Sequence, residues 1–211
     1  MRYWLLAFYV MFGSICHAQE PSAAGVVVLI SGEVQLHRGE TQSQLVRKEV
    51  IKNGDLIVTG SGSRARLRMA DGGVVTLGGE TQLEIITYDY SEEANSGSAL
   101  LKLITGALRV VTGAIGMTRD RDFHVESSVG TIGIRGTDFW LGDIFLEALD
   151  VIVLSGKGIY IENRAGRVEL DTAGYGTTVK GVDTLPAIPG PWSEDKFKAA
   201  VKSVSIDDMK Y

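Results

Sequence analysis

The chain has 211 residues and a formal net charge of -5, with 26 Gly but only 4 Pro and one Cys. Hydrophobic residues at 45% and charged residues at 22% exclude wholesale disorder, and the Gly excess lacks the period and the Pro of a collagen helix. The acidic balance argues against a nucleic-acid binder driven by phosphate neutralisation, and one Cys builds neither an internal disulfide nor a Cys-based zinc site.

Residues 1–18 read as a secretory signal peptide. Arg2 supplies the positive start, and Tyr3 to Phe12 supply an apolar run too short to span a bilayer. Cys16-His17-Ala18 gives a cleavage site before Gln19. The expected mature chain has no Cys, which suits an oxidising compartment. No later apolar run reaches membrane-spanning length, so no stable span is expected after cleavage.

From residue 25 to 184 the pattern is that of an all-β domain. Val26 to Ile30 is a continuous apolar run, and Gly32 to Leu36 alternates. Asp55 to Thr59 is rich in β-branched residues. Ala65, Leu67 and Met69 alternate with Arg66 and Arg68, as in a half-buried strand. Asp71-Gly72 then predicts a hairpin into Val74–Leu77. Strands follow at Leu83–Tyr88, Leu100–Ile104, Gly106–Val111, Phe123–Val125, Thr137–Leu141, Val151–Leu154, Ile159–Ile161 and Val168–Leu170. Residues 91–98 read as a loop, and 141–150 is the one stretch of the domain open to a helical turn. Gly32, Gly106 and Gly166 each open an alternating run, so each is expected at a turn with positive φ. The expected architecture is a compact β-solenoid or roll of short strands and hairpins, with a β-sandwich as the alternative.

The C-terminal part changes character. Residues 185–192 hold three of the four Pro and read as an extended linker. A short helix is expected within 193–211, with Ser193 as N-cap, Glu194 and Asp195 in the first turn, and Trp192 and Phe197 at staple positions.

No catalytic, cofactor or metal constellation emerges. Gly60-Ser61-Gly62-Ser63-Arg64-Ala65 fits a dinucleotide fingerprint, but the following residues alternate as a strand instead of opening a helix. His37 and His124 belong to no metal-binding pattern. Asp120 and Asp122 interleave with Arg119 and Arg121, as in a solvated charged turn.

Several ordered motifs resemble the FecR domain, over residues 25–162. The segment from Phe123 to Phe139 contains Gly130-Thr131-Ile132-Gly133-Ile134-Arg135-Gly136-Thr137-Asp138-Phe139 and is similar to the family's Arg-Gly-Thr-x-Phe signature. Residues 53–67, beginning Asn53-Gly54-Asp55, resemble its G-D-x-I-x-T-G-x-x-S-x-A stretch. Asp71 to Gly78 resembles its Asp-Gly strand pair, and Val153 to Ile159 its closing V-x-x-G-x-V, with Gly158 shifting the register by one.

Most of these residues read as fold-makers: Asp71 and Gly72 in a turn, Gly136 at a restricted conformation, Arg135 on turn carbonyls, and Thr137 and Phe139 beside them. Arg135 and Trp140 are the candidate partner contacts. Known family members include inner-membrane regulators that pass a receptor's signal to a sigma factor. They carry a cytoplasmic anti-sigma segment and one spanning helix before this domain. Here the domain follows the signal-peptide stretch directly, so the resemblance implies the sensory or scaffold module alone, exported to the Gram-negative periplasm or secreted.

The functional expectation is a non-enzymatic module that binds an envelope protein or cell-wall component, by edge-strand or flat-face recognition. A carbohydrate- or peptidoglycan-binding module would show Trp140, Tyr160 and Tyr175 on one face. A cryptic hydrolase would bring carboxylates together in one pocket.

Overall fold

The computed structural model describes residues 23–118, 122–145 and 148–206. The signal-peptide stretch and Arg119–Arg121 of the charged turn lie outside these residues. The strands are β1 (Ala23–Ser31), β2 (Val34–Arg38), β3 (Thr41–Gln44), β4 (Val50–Lys52), β5 (Leu56–Thr59) and β6 (Arg64–Met69). They continue as β7 (Val74–Leu77), β8 (Gln82–Ser91), β9 (Ser96–Thr105), β10 (Ala107–Val111), β11 (Asp122–Ser127) and β12 (Gly130–Ile134). The last are β13 (Thr137–Phe145), β14 (Ala148–Gly156), β15 (Ile159–Asn163), β16 (Gly166–Leu170), β17 (Tyr175–Val179) and β18 (Gly190–Pro191). A 3-10 turn spans Ile115–Met117, and helix α1 spans Glu194–Ser203.

These strands form two sheets of nine. The first runs β18-β17-β14-β13-β10-β7-β6-β1-β4, and the second β16-β15-β12-β11-β9-β8-β5-β2-β3. The chain passes repeatedly between the sheets while advancing from the β3 and β4 end to the β16 and β18 end. Most neighbours are antiparallel; β9 and β11 are parallel because the chain visits the first sheet, at β10, between them. Alternation supplies the inner faces. Ala65, Leu67 and Met69 of β6 meet Leu83, Ile85, Leu101 and Val125 of the second sheet in one continuous core.

Residues 141–150 differ from the sequence expectation. The described ones, 141–145 and 148–150, are strand: β13 and β14 pair there, with Leu141 opposite Val151 and Phe145 opposite Ala148. Phe139, Leu141, Val151 and Val153 face the main core, whereas Trp140 and Ile152 form a second cluster under α1. Burial on both faces explains the unbroken apolar run Val151–Leu154. Of residues 91–98, only 92–95 are a turn, because β8 and β9 stay paired as far as Ser91 and Ser96. The ladder there is held by backbone bonds, so it extends beyond the apolar positions that revealed it.

The Pro-rich segment is not a free linker. Ala187 N donates to Thr178 O at 3.0 Å, Thr177 Oγ1 donates to Ala187 O, and Gly190–Pro191 pairs with β17. After it, Ser193 caps α1 by accepting from Lys196 N, and Ala200 and Val204 pack on Trp140. The helix is docked. Lys196 Nζ reaches the buried Asp150 carboxylate at 2.6 Å, and Trp140 Nε1 donates to Ser203 Oγ at 3.0 Å.

Gly32, Gly106 and Gly166 all have positive φ, and Gly72 closes the β6–β7 hairpin at φ +82°. Asp71 beside it is 8% exposed. Its carboxylate accepts from Tyr88 Oη at 2.7 Å, from Gly73 N at 2.9 Å and from Ile115 N at 3.0 Å. Burial, and then the Asp71 charge, push the Tyr88 hydroxyl far above its usual range. Neutral Tyr88 therefore stabilises the fold below the unfolded-chain pKa of about 10, and this contribution declines as pH rises beyond it. Urea denaturation from pH 8 to 11 is expected to show falling stability that is shallower in Tyr88→Phe. Asp71→Ala is expected to cost about 3 kcal/mol in the same assay at pH 7, because it leaves three buried donors without their acceptor.

Candidate functional site

The signature residues around Arg135 sit where β12, β15 and β16 lie side by side. Gly133 on β12 pairs with Tyr160 on β15. A Cβ at Gly133 would lie 2.1 Å from the Tyr160 ring, so the absence of a side chain makes room for that ring. Above the ring sits Arg167 of β16, its guanidinium 3.5 Å from the centroid, with Arg135 at 5.8 Å. Tyr160 Oη and His124 Nε2 are 3.1 Å apart, and His124 Nδ1 is 3.3 Å from Asp122.

Glu169 is the acceptor for both arginines. Arg135 donates to it twice, at 2.7 and 3.0 Å, and Arg167 once at 2.8 Å. Hydrogen bonds from Arg135 and then from Arg167 hold the Glu169 carboxyl below its ordinary range. These ion pairs are half exposed, so they organise the surface more than they stabilise the fold. The expected Arg135 contact with turn carbonyls is replaced by this carboxylate, because residue 169 lies within reach on the edge strand.

The rest of the signature turns inward. Gly136 has φ +77°. Thr137 is buried; its Oγ1 donates to Gly158 O at 2.6 Å and accepts from Gly158 N at 3.0 Å. Phe139 is fully buried in the main core. Trp140 is also 0% exposed, which corrects its reading as a partner contact. Its ring packs with Phe145 and Trp192 at centroid distances of 5.8 and 5.9 Å, so its partner is the chain's own C-terminal segment.

The three aromatics named for a sugar platform do not share a face. Trp140 is buried under α1, Tyr160 belongs to the second sheet, and Tyr175 on β17 belongs to the first. The buried acids are likewise dispersed and engaged. Asp55 binds Arg38 twice at 2.7 Å, Asp71 holds the β6–β7 turn, and Asp150 holds Lys196 and Thr178. A 310 Å³ cavity lined by Leu103, Thr105, Ser127, Val129, Asp143 and Leu149 contains none of these three acids. Its own Asp143 accepts from Gly106 N at 2.7 Å.

A second surface was missed by sequence reading. Strand β3, Thr41–Gln44, is exposed at every residue and forms an edge of the second sheet, with no described strand beyond it. It carries no charge and no apolar alternation. The signal that could have found it is the two-residue Gly39-Glu40 turn, which reverses the chain so that Thr41 pairs with Arg38. Val46 and Val50, just after it, are 55% and 45% exposed. At the signature patch, Gly133→Ala is expected to expel the Tyr160 ring and cost about 1–3 kcal/mol in thermal denaturation. The penalty should shrink when Tyr160→Ala is added, in a double-mutant cycle.

Residues 55–157 match the model of the family described as FecR protein. Two crystal structures, at 1.65 and 2.50 Å, of a protein provisionally described as an anti-sigma factor from Parabacteroides distasonis ATCC 8503 share the fold, each with a TM-score of 0.52 and 16% identity. The alignments cover 68% of this chain and 63% and 62% of those chains, so this chain spans less than two thirds of their length. No curated protein matches the chain. With its Arg-Gly-Thr-x-Phe turn, its Asp-Gly hairpin and the family match in one continuous stretch, residues 55–157 of this chain form a FecR domain.

Proposed function

We propose that this FecR module is an exported, non-enzymatic scaffold of the Gram-negative periplasm that takes part in signalling by binding another envelope protein. The β domain is read as a compact roll, since the chain crosses between the sheets as it advances along them. The observation that carries the reading is β3, an uncharged edge exposed along its whole length. Sheet edges of this kind attract a partner strand unless charge, Pro or a covering segment prevents it. The family match, and the likeness to a protein described as an anti-sigma factor, support a regulatory role over a catalytic one.

Two measurements test this. Mass spectrometry of the protein recovered from a periplasmic fraction is expected to show a chain beginning at Gln19; recovery from the cytoplasm with Met1 intact overturns export. Affinity capture from the same fraction is expected to retain an envelope protein on the wild type and to lose it on Gln42→Pro, which removes an N–H from the open edge. Equal retention by both overturns recognition through β3.

A further inference from the structure

We infer that β3, while no envelope protein occupies it, pairs with β3 of a second copy of this chain, forming a head-to-head dimer about a two-fold axis; the inference rests on reading β3 as the contact edge. Leu45 N donates to Val34 O at 2.8 Å, which makes Val34 and Leu45 a bonded pair of the β2–β3 ladder. Bonded and non-bonded pairs alternate along an antiparallel ladder. Leu36 and Ser43 are therefore bonded, whereas Gln42 and Gln44 turn their N–H and C=O groups outward. One residue separates the two outward positions. An antiparallel copy centred on Ser43 thus sets Gln42 against Gln44 of the second copy, and Gln44 against its Gln42. Each match meets the requirements of a bonded pair.

Charge favours this pairing over a parallel one. Nothing on Thr41–Gln44 repels its own copy. Antiparallel alignment also brings the end bearing exposed Glu40 toward the end bearing exposed Arg47. Exposed Val46 and Val50 flank the junction and lose water on contact.

The opposite end of the domain prevents head-to-tail growth. Pro191 on β18 has no N–H to offer, and β16 carries Arg167 and Glu169. The 181–184 segment is bound to the β15–β16 turn, through Arg164 N on Val182 O and Asn163 Nδ2 on Gly181 O and Thr184 O. With one end open and the other closed, the assembly stops at two copies.

Sedimentation velocity over a concentration series tests the pairing on purified protein. The wild type is expected to form a concentration-dependent dimer. Gln42→Pro removes one outward N–H from each copy and should weaken it about tenfold. The double variant Gln42→Lys, Gln44→Lys sets Lys against Lys and should be monomeric. Gln42→Lys, Gln44→Glu sets Lys against Glu in both matches and should restore the dimer. The charge pair decides the matter even if the Pro variant folds poorly. A wild type that stays monomeric throughout overturns the dimer, as does equal dimerisation by all variants. If the wild type is monomeric yet Gln42→Pro still loses a captured envelope protein, the dimer fails and the edge reading stands. If the variants change neither property, both fail.

Discussion

The carboxylate of Asp71 fastens two separate hydrogen-bonded ladders to one another. It sits at the β6–β7 turn of the first sheet, receives the Tyr88 hydroxyl from β8 of the second, and fixes the start of the 3-10 turn through Ile115 N. Apolar contact alone is non-directional and would tolerate sliding of one sheet over the other. A buried acid with fixed partners does not, because a shifted register leaves charge and donors unmatched in a low-dielectric interior. Asp55 plays a similar part at the β3 and β4 end. It grips Arg38 of β2, whose guanidinium also reaches Val50 O of β4 in the other sheet.

The hydroxyls of buried threonines extend this arrangement. Thr59 Oγ1 donates to Gly78 O and accepts from Thr81 N, linking β5 to the turn after β7. Thr137 does the same between β13 and the turn before β15. Each occurs where the chain leaves one sheet for the other. The FecR motifs at residues 53–67, 130–139 and 153–159 therefore coincide with crossings, where backbone groups fall outside any ladder and need a side chain to satisfy them.

Strands with one buried face were legible in the sequence, as with the alternation of Ala65, Leu67 and Met69. So were the Asp71-Gly72 turn and the Ser193 cap, because their chemistry is local. Strand β3 was not, since an edge of four polar residues has no hydrophobic period. Nor was the extension of β13 and β14 beyond Thr137–Leu141 and Val151–Leu154, where residues face either the main core or the cluster under α1 and periodicity vanishes. Trp140 was misread because an aromatic in a strand pattern does not reveal what covers it. That cover comes from α1, more than fifty residues later in the chain. Arg135 was assigned local carbonyls for the same reason: Glu169 is distant in sequence and adjacent only across the sheet.

The docking of α1 also sets an order of events. Trp140 and Ile152 are synthesised well before Ala200 and Val204, the residues that shield them. Until those emerge, the outer face of β13 and β14 is an adhesive apolar patch on an otherwise finished sheet. A chain ending before Ser193 would have its β strands complete and Trp192 in place, yet lack Phe197, Ala200 and Val204 over the Trp140 face.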